Sequence, residues 1–530
     1  MGVGADVKTL DRNIYLTGFM GSGKSVKGRT LAGVMKRRFV DMDDELERSF
    51  GMPISEVFIH HGEPAFRKAE TKLLKRLARR KRLVVATGGG VPATPENVAA
   101  MRRSGTVIYL SVPLGEIRAR LTTEDIRRRP LWEDERAVEA LYERRQSAYA
   151  QCDAVVDGGL EAVAVAARIL DMYAGCSPLA ARHGEVTCPV VPTFDAAGDL
   201  ATRIFGRRVA LLTDRNVARH HLERYRDALG QLTDIVVPPG EKSKSLRGAG
   251  VVYEALLGAQ FGRDDVLVAL GGGMITDLGA FVASTYKRGM DFVLVSTSLL
   301  GCVDAAVGGK AAVNFGAAKN QVGLFTVPLA SLLDLRALGT LPRRQVDEGL
   351  VEAYKTGLIW DTDLGALIEE NLSILHKRDL AWIAEVGALS AKAKAQVVSE
   401  DFRENGLRRI LNFGHTYGHA VEGWHGYRVR HGQCVAAGML VASELSCRRG
   451  LIGRDWADRI AATLLQMVPR GFALPDVADA WPIMVNDKKN RGGRVVFVLL
   501  AGPAQCTCVE DVTPEELDQA LSKVRQKWHE

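Results

Sequence analysis

At 530 residues the chain is too long for one hydrophobic core, and ordinary domain sizes argue for about three. With 47% apolar and 25% charged residues, large cores are within reach and long disorder is excluded. The net charge of +7 is spread over cations standing singly inside glycine-rich motifs, plus a solvated helix-end run from Arg76 to Arg82, which favours anionic small molecules over nucleic acid. Eight scattered cysteines without a CxxC read as reduced thiols, and no apolar run has the length of a spanning helix. The expectation is a cytoplasmic enzyme with no membrane and no nucleic-acid partner.

The first strand expected is Asn13 to Thr17, running into Gly18-Phe19-Met20-Gly21-Ser22-Gly23-Lys24-Ser25, a complete GxxxxGK[ST]. Glycines there let successive backbone N–H groups face a phosphate, Lys24 reaches the terminal phosphates, and the Ser25 hydroxyl holds Mg²⁺. A helical pattern (Leu31, Val34, Met35) follows, as the motif demands. Phe39 to Asp43 is read as the end of a second strand, with Asp41 and Asp43 on one side by two-residue alternation. One carboxylate can assist Mg²⁺ and the other can bind or deprotonate a hydroxyl. Arg67 and Glu70 come next, then a strand Leu83–Ala86 delivering Gly88-Gly89-Gly90, a polar stretch Arg127–Leu131, and Arg144-Arg145 ahead of Tyr149.

On these motifs the segment from about residue 10 to 172 resembles shikimate kinase. The resemblance implies a P-loop α/β domain of the nucleoside-monophosphate-kinase type that uses ATP, Mg²⁺ and shikimate. It makes Gly21, Ser22, Gly23, Lys24 and Ser25 the ATP and Mg²⁺ contacts, with Asp41 near the metal. It makes Asp43 the base and a contact to the substrate hydroxyls, and puts Arg67, Gly89, Gly90 and Arg145 around the shikimate carboxylate and ring. Arg129 is implied as the lid arginine over the transferring phosphoryl group. Val26, where the family usually has a second hydroxyl, is a departure of little consequence.

The first domain is expected over 1–173 and a linker over 174–185. From 186 to 340 strands alternate with helices. Val209–Thr213 ends at Asp214 and Asn216, and Ile235–Val237 ends at Gly240 to Lys244. Val266–Leu270 ends at Gly271-Gly272-Gly273 and Asp277, and Phe292–Val295 ends at Ser296-Thr297-Ser298. Four strands each releasing polar or glycine residues at their carboxyl ends make a doubly wound sheet with a cofactor crevice. The glycine run is no full GxGxxG, since Thr276 stands at the third glycine. Arg288, Lys310, Lys319 and Asn320 are read on loops around a glycine turn, suited to a phosphate or carboxylate.

From 341 to 530 the pattern turns helical. Glu352 and Lys355 share a helix face, as do His415 and His419, with Asn412 just before and His431 a short loop later. By spacing alone His415 and His419 form an HxxxH metal pair. Yet the stretch from about 180 to 530 resembles 3-dehydroquinate synthase over its whole length, and this implies a different assignment. The resemblance implies a Rossmann-like NAD-binding domain followed by an α-helical domain whose metal, Zn²⁺ or Co²⁺, sits on Glu352, His415 and His431, with His419 a substrate contact. It implies catalytic roles for Lys310, Lys355, Glu404, Asn412 and His419. Substrate contacts are implied at Arg288, Asn320, Lys394, Arg408, Asn412, His419 and Lys488, with Arg288 supplied across a homodimer. The NAD contacts implied are Asp214, Asn216, Glu241, Lys244, Gly272, Gly273, Asp277, Thr297, Ser298, Lys310, Lys319 and Thr340. Gln433, where the family commonly has Glu, is a departure not expected to cost the metal.

The expected protein is a fusion that phosphorylates shikimate with ATP and converts 3-deoxy-D-arabino-heptulosonate 7-phosphate to 3-dehydroquinate plus phosphate, with NAD⁺ regenerated in each turnover. The alternative is a related sugar-phosphate cyclase fused to another small-polyol kinase. A polyol dehydrogenase would instead release NADH.

Overall fold

The computed structural model describes residues 12–121, 132, 134–173, 179–183, 186–316, 318–375, 379–469, 471–486 and 494–529. They form two compact units, Met1–Gly175 with Asp379–Trp382, and Cys176–Arg378 with Ile383–Glu530.

The first unit is built on a five-stranded parallel sheet of β1 (Asn13–Thr17), β2 (Arg38–Asp41), β3 (Leu83–Ala86), β4 (Gly105–Ser111) and β5 (Ala154–Asp157). The order β2-β3-β1-β4-β5 places β1 in the middle, and every residue of it is buried. Buried strands covered on both faces read as unbroken apolar runs, which is how Ile14-Tyr15-Leu16 reads. Asn13, polar and fully buried, spends its amide on the Arg80 carbonyl (2.9 Å) and its oxygen on the Leu83 N–H (2.9 Å). From β1 the chain enters the phosphate loop, where Gly21 and Gly23 take φ of +84° and +82°, before the helix Lys24–Met35.

The acidic pair that follows corrects the alternation expected for it. β2 stops at Asp41, and Met42 already begins the helix Met42–Phe50. Asp41 caps that helix, its carboxylate accepting the Asp43 N–H at 3.0 Å. A cap followed by Asp43, Asp44 and Glu45 is a strong helix start, since acids in the first turn meet the positive end of the helix dipole.

The second unit has a seven-stranded sheet in the order β6-β7-β14-β11-β10-β8-β9. Its strands are β6 (Leu179–His183), β7 (Val186–Thr193), β8 (Val209–Asp214), β9 (Thr233–Val237), β10 (Val266–Gly271), β11 (Asp291–Ser296) and β14 (Ala330–Asp334). All pairs are parallel except β6 with β7. Thus residues 179–183, expected in a linker, are an edge strand, a hairpin partner too short and too poor in β-formers to be read. Between β11 and β14 stands an antiparallel hairpin of β12 (Lys310–Phe315) and β13 (Ala318–Phe325), so Lys310, Lys319 and Asn320 lie on strands and not on the loops expected.

The rest of this unit is helical: Arg343–Ile359, Thr362–Leu375, Leu380–Glu400, His415–Trp424, His431–Arg448, Arg454–Met467, Val477–Val485 and Pro514–His529. A hairpin of β15 (Phe497–Gly502) and β16 (Gln505–Val509) packs among them; β16 carries Cys506 and Cys508 and was not foreseen. Helices His415–Trp424 and His431–Arg448 approach backbone to backbone. A Cβ on Gly418 would stand 2.9 Å from the Cys434 carbonyl oxygen, and one on Gly414 2.9 Å from the Met439 nitrogen. Three small residues, Gly414, Gly418 and Gly438, therefore set how near His415 can come to His431.

Candidate active sites

In the first unit the chemistry gathers where β1, β2 and β3 end. Lys24 folds over the phosphate loop and donates to the carbonyls of Gly18 (2.9 Å) and Phe19 (3.0 Å). The Ser25 hydroxyl donates to Asp41 at 2.5 Å, so the two groups expected to serve Mg²⁺ meet at one point. A second cluster forms on the glycine triplet after β3. A Cβ on Gly88 would lie 2.6 Å from a Glu70 oxygen and 2.8 Å from an Asp43 oxygen, and one on Gly89 would lie 3.2 Å from the Arg145 guanidinium. A side chain on Gly90 would collide with the Arg67 guanidinium. The bare backbone is thus the floor on which Asp43, Arg67 and Arg145 converge.

Glu70, to which the sequence reading gave no role, is the buried partner of Arg67 (2.9 Å). Burial raises its pKa, with the Arg67 charge working against the rise. Its place three residues after Arg67 on one helix was the available signal. Tyr149 donates its hydroxyl to the Gly89 carbonyl at 2.8 Å and supports the triplet from behind. Arg129 lies outside the described residues.

In the second unit the carboxyl ends of β8, β10 and β11 open on one crevice. Asp214 turns its carboxylate back on the N–H groups of Asn216 (2.8 Å) and Val217 (3.2 Å). Gly272 leads into the helix Gly273–Thr285, and a Cβ on it would meet the Ser298 hydroxyl at 3.1 Å. Thr297 donates its N–H to Gly271 at 2.9 Å, Lys244 is ion-paired with Asp277, and Glu241 accepts from Asn314 on the hairpin at 2.8 Å. Close backbone, a helix N-terminus and few side chains are what a pyrophosphate needs. Thr340 is hydrogen-bonded to His221 (2.9 Å), whose ring burial lowers to a pKa of about 4 and so keeps neutral.

Glu352 from the helix Arg343–Ile359 meets His415 and His431, the first residues of their helices, with one donor atom from each lying within 4.8 Å of the others. Glu352 Oε1 is 3.5 Å from His415 Nε2 and 3.4 Å from His431 Nε2. It is buried and has no hydrogen-bond partner of regular geometry, while Oε2 takes Lys355 at 2.5 Å. His415 Nδ1 is 3.1 Å from the Phe413 carbonyl, which can only accept, so Nδ1 carries a hydrogen and Nε2 is the nitrogen turned toward Glu352. Burial works against the Glu352 charge, but Lys355 and the two histidines hold its pKa well below the usual carboxylate range. Burial likewise opposes charge on His431, yet the flanking Glu352 and Glu422 hold its pKa up at about 10. Such a pocket is built for positive charge. His419 stands beside it, its ring 5.3 Å from that of His415, and with Glu422 and His431 forms an overlapping donor group.

Around this centre Lys310 pairs with Glu404, which also accepts from Asn412 at 2.9 Å. Lys355 donates to the Leu411 carbonyl at 2.7 Å. Lys394 pairs with Asp304, and Arg408 donates to the Gly308 carbonyl at 3.0 Å, so the two cations meet at one glycine turn. Asp304 and Glu422 were not singled out from the sequence; both are acids whose partners come from other elements. Asn320 holds the hairpin in place by donating its backbone N–H to Asn314 at 2.9 Å. Arg288 is not brought to the site: it is exposed, three residues before β11 begins, at the amino end of the parallel strands. Lys488 lies outside the described residues.

Shikimate kinase models match residues 20–174, and the N- and C-terminal models of 3-dehydroquinate synthase match 234–348 and 349–490. A bifunctional shikimate kinase/3-dehydroquinate synthase of Thermotoga maritima is 32% identical over 485 residues, covering 91% of this chain and 94% of the relative. The chain belongs to this bifunctional family. Its first unit is the kinase and its second the synthase. A 3-dehydroquinate synthase of Acidithiobacillus ferrooxidans is 40% identical over 332 residues, covering 61% of this chain and 90% of the relative. Among solved structures, a 2-epi-5-epi-valiolone synthase of Streptomyces hygroscopicus with NAD⁺ and Zn²⁺ bound shares 26% identity at a TM-score of 0.61, over 65% of this chain and 99% of that one. A 2-deoxy-scyllo-inosose synthase shares the fold, with a TM-score of 0.59 over 66% of this chain and 99% of that one. No helix among the described residues is long and apolar enough to cross a membrane.

Proposed function

We propose that the kinase unit transfers the γ-phosphoryl group of ATP to a shikimate hydroxyl, and that the synthase unit turns 3-deoxy-D-arabino-heptulosonate 7-phosphate into 3-dehydroquinate and phosphate. In the kinase, Lys24 and the loop N–H groups bind the phosphates, Ser25 and Asp41 hold Mg²⁺, and Asp43 takes the hydroxyl proton. Arg67 and Arg145 grip the substrate carboxylate above Gly89 and Gly90.

The observation that carries the synthase reading is Glu352 Oε1, buried, without a hydrogen bond, and facing two imidazole nitrogens. One oxygen and two nitrogens at that spacing fit Zn²⁺ or Co²⁺ with positions left for substrate oxygens, and Glu352, His415 and His431 would hold it. When bound, the metal polarises a substrate alcohol and NAD⁺ supplies a reversible hydride acceptor. The chain's own residues do the placing. Lys394 and Arg408 bind one anionic end of the substrate, Lys310 with Glu404, Asn412 and His419 orients the reacting hydroxyls, and Lys355 keeps Glu352 ionised. Asp214, Glu241, Lys244, Gly272 and Gly273 line the NAD crevice. The residues up to about 340 serve the cofactor and those beyond serve the metal. Arg288, stranded at the wrong end of its own sheet, serves the site of a second copy in a homodimer. The reduced thiols suit the cytoplasm.

The test is phosphate release from the heptulosonate phosphate by metal-loaded protein with catalytic NAD⁺. Release with no accumulating NADH, lost in EDTA and in His415→Ala, is expected. Steady NADH formation would point to a dehydrogenase, and turnover of a different sugar phosphate to a related cyclase. Lys24→Ala should abolish shikimate-dependent ADP formation and leave phosphate release intact.

A further inference from the structure

His431 presents its two ring nitrogens to two different carboxylates. Nε2 faces Glu352 Oε1 at 3.4 Å, and Nδ1 faces Glu422 Oε2 at 3.6 Å. Glu422 lies on the helix His415–Trp424 and is buried. Its other oxygen accepts from Lys319, on β13, at 2.6 Å, and that ammonium also rests over the Tyr427 ring, 4.6 Å from its centroid. By donor count Glu422 also belongs to a second candidate triad with His419 and His431. A single ion cannot sit on both nitrogens of one imidazole. An ion at Nε2 leaves Nδ1 carrying its hydrogen, and that N–H then points at Glu422. The two carboxylates also differ in their commitments. Glu352 keeps one oxygen without a hydrogen bond, whereas Glu422 has one oxygen bonded to Lys319 and turns the other toward the imidazole at 3.6 Å.

We propose that Glu422 is a positioning residue of the metal centre: it accepts the His431 Nδ1–H, fixes the ring's tautomer and angle, and is itself held in place by Lys319. This rests on the assignment of the metal to Glu352, His415 and His431. Outer carboxylates of this kind raise the basicity of the ligating imidazole and lock its orientation, and their removal costs about 10–100-fold in metal affinity. Lys319, bonded to the other Glu422 oxygen, holds that carboxylate back from the coordination sphere. The arrangement ties the hairpin beside the NAD crevice to the metal ligands.

The experiment is Co²⁺ binding to the purified full-length chain, followed by competition with a chelator and by the visible d–d absorption. Glu422→Gln, an isosteric change, and Glu422→Ala are set against wild type and Glu352→Gln. The expected result is about 10–100-fold weaker Co²⁺ binding for Glu422→Ala, a smaller loss for Glu422→Gln, whose amide oxygen still accepts, and wild-type d–d bands once either is saturated. Bands that change shape at saturation, or binding lost as completely as in Glu352→Gln, would make Glu422 a ligand and overturn the proposal. Affinities within about twofold of wild type in both variants would overturn it too. Wild-type affinity in Glu352→Gln would instead bring down the metal assignment itself, an outcome read from a different variant.

Discussion

Replacing Gly438 by alanine tests whether glycine contacts between two helices hold the proposed metal ligands at their separation. A Cβ there would lie well inside contact distance of the Gly414 carbonyl oxygen and 2.8 Å from both the Gly414 carbonyl carbon and the Gly418 nitrogen. These are backbone atoms and cannot rotate aside. The helices His415–Trp424 and His431–Arg448 must therefore part, and each begins with a histidine of the proposed metal site. Overpacking of this kind costs about 1–3 kcal/mol, and the upper half of that range applies where the obstacle is main chain. In a unit of this size a cost of about 2–3 kcal/mol lowers the melting temperature by roughly 3–4 °C. Metal geometry tolerates only about 0.2 Å in ligand distance, so Co²⁺ affinity should fall at least about tenfold. Gly250→Ala is the control: it lies mid-helix in Leu246–Gly258 with no atom within 4 Å of the added carbon, and should be neutral or stabilising by about 0.5–1 kcal/mol. Thermal melting and chelator competition on both variants decide the matter. A Gly438→Ala chain that melts with wild type and keeps its Co²⁺ affinity would refute the idea that this contact sets the ligand spacing.

Arg67→Met should raise the KM for shikimate and destabilise the kinase unit by about 1–3 kcal/mol, because Glu70 is left buried without its cation. Glu70 already has a raised pKa, so the folded state binds its proton more tightly than the unfolded chain does; the defect should shrink as pH falls toward 4.5, which melting curves at several pH values would show. Asp304 is the opposite case: burial alone would raise its pKa, but Lys394 pulls it down to about 2 from 3.8. The stability it lends is present above pH 3.8 and lost as pH falls toward 2, and Asp304→Asn should flatten that limb of an acid-unfolding curve by about 1 kcal/mol or less, since the carboxylate is half exposed. Mixing Arg288→Ala chains with His415→Ala chains should restore synthase activity that neither has alone, through one intact shared site per mixed dimer; no recovery after verified subunit exchange would exclude the cross-subunit role of Arg288.

Motifs whose parts are contiguous could be read directly. In the phosphate loop, Lys24 and Ser25 are placed by the strand before them and the helix after, and glycine tolerance of positive φ is a property of single residues. The shared face of His415 and His419 follows from helical periodicity alone. Alternation failed at Asp41 and Asp43 because a helix cap competes locally with strand continuation, and the strong cap wins. The strand β6 and the hairpin of β12 and β13 were missed because each exists only through its partner strand.

By itself the amino-acid sequence determined the chemical inventory and its grouping into a phosphate loop, a nucleotide sheet and a histidine-bearing helical region. Spacing along the chain leaves open which carboxylate comes beside the histidines, and the tertiary structure brings up both Glu352 and Glu422. Within a few residues of His415 the chain offers His419 and Glu422, but Glu422 has one oxygen bonded to Lys319 and the other 3.6 Å from His431 Nδ1, and the oxygen without a hydrogen bond that faces both Nε2 atoms belongs to Glu352, on a separate helix. Periodicity fixes positions within one helix, whereas the distance between helices is set by backbone contact at Gly414, Gly418 and Gly438, and a metal site is made of such distances.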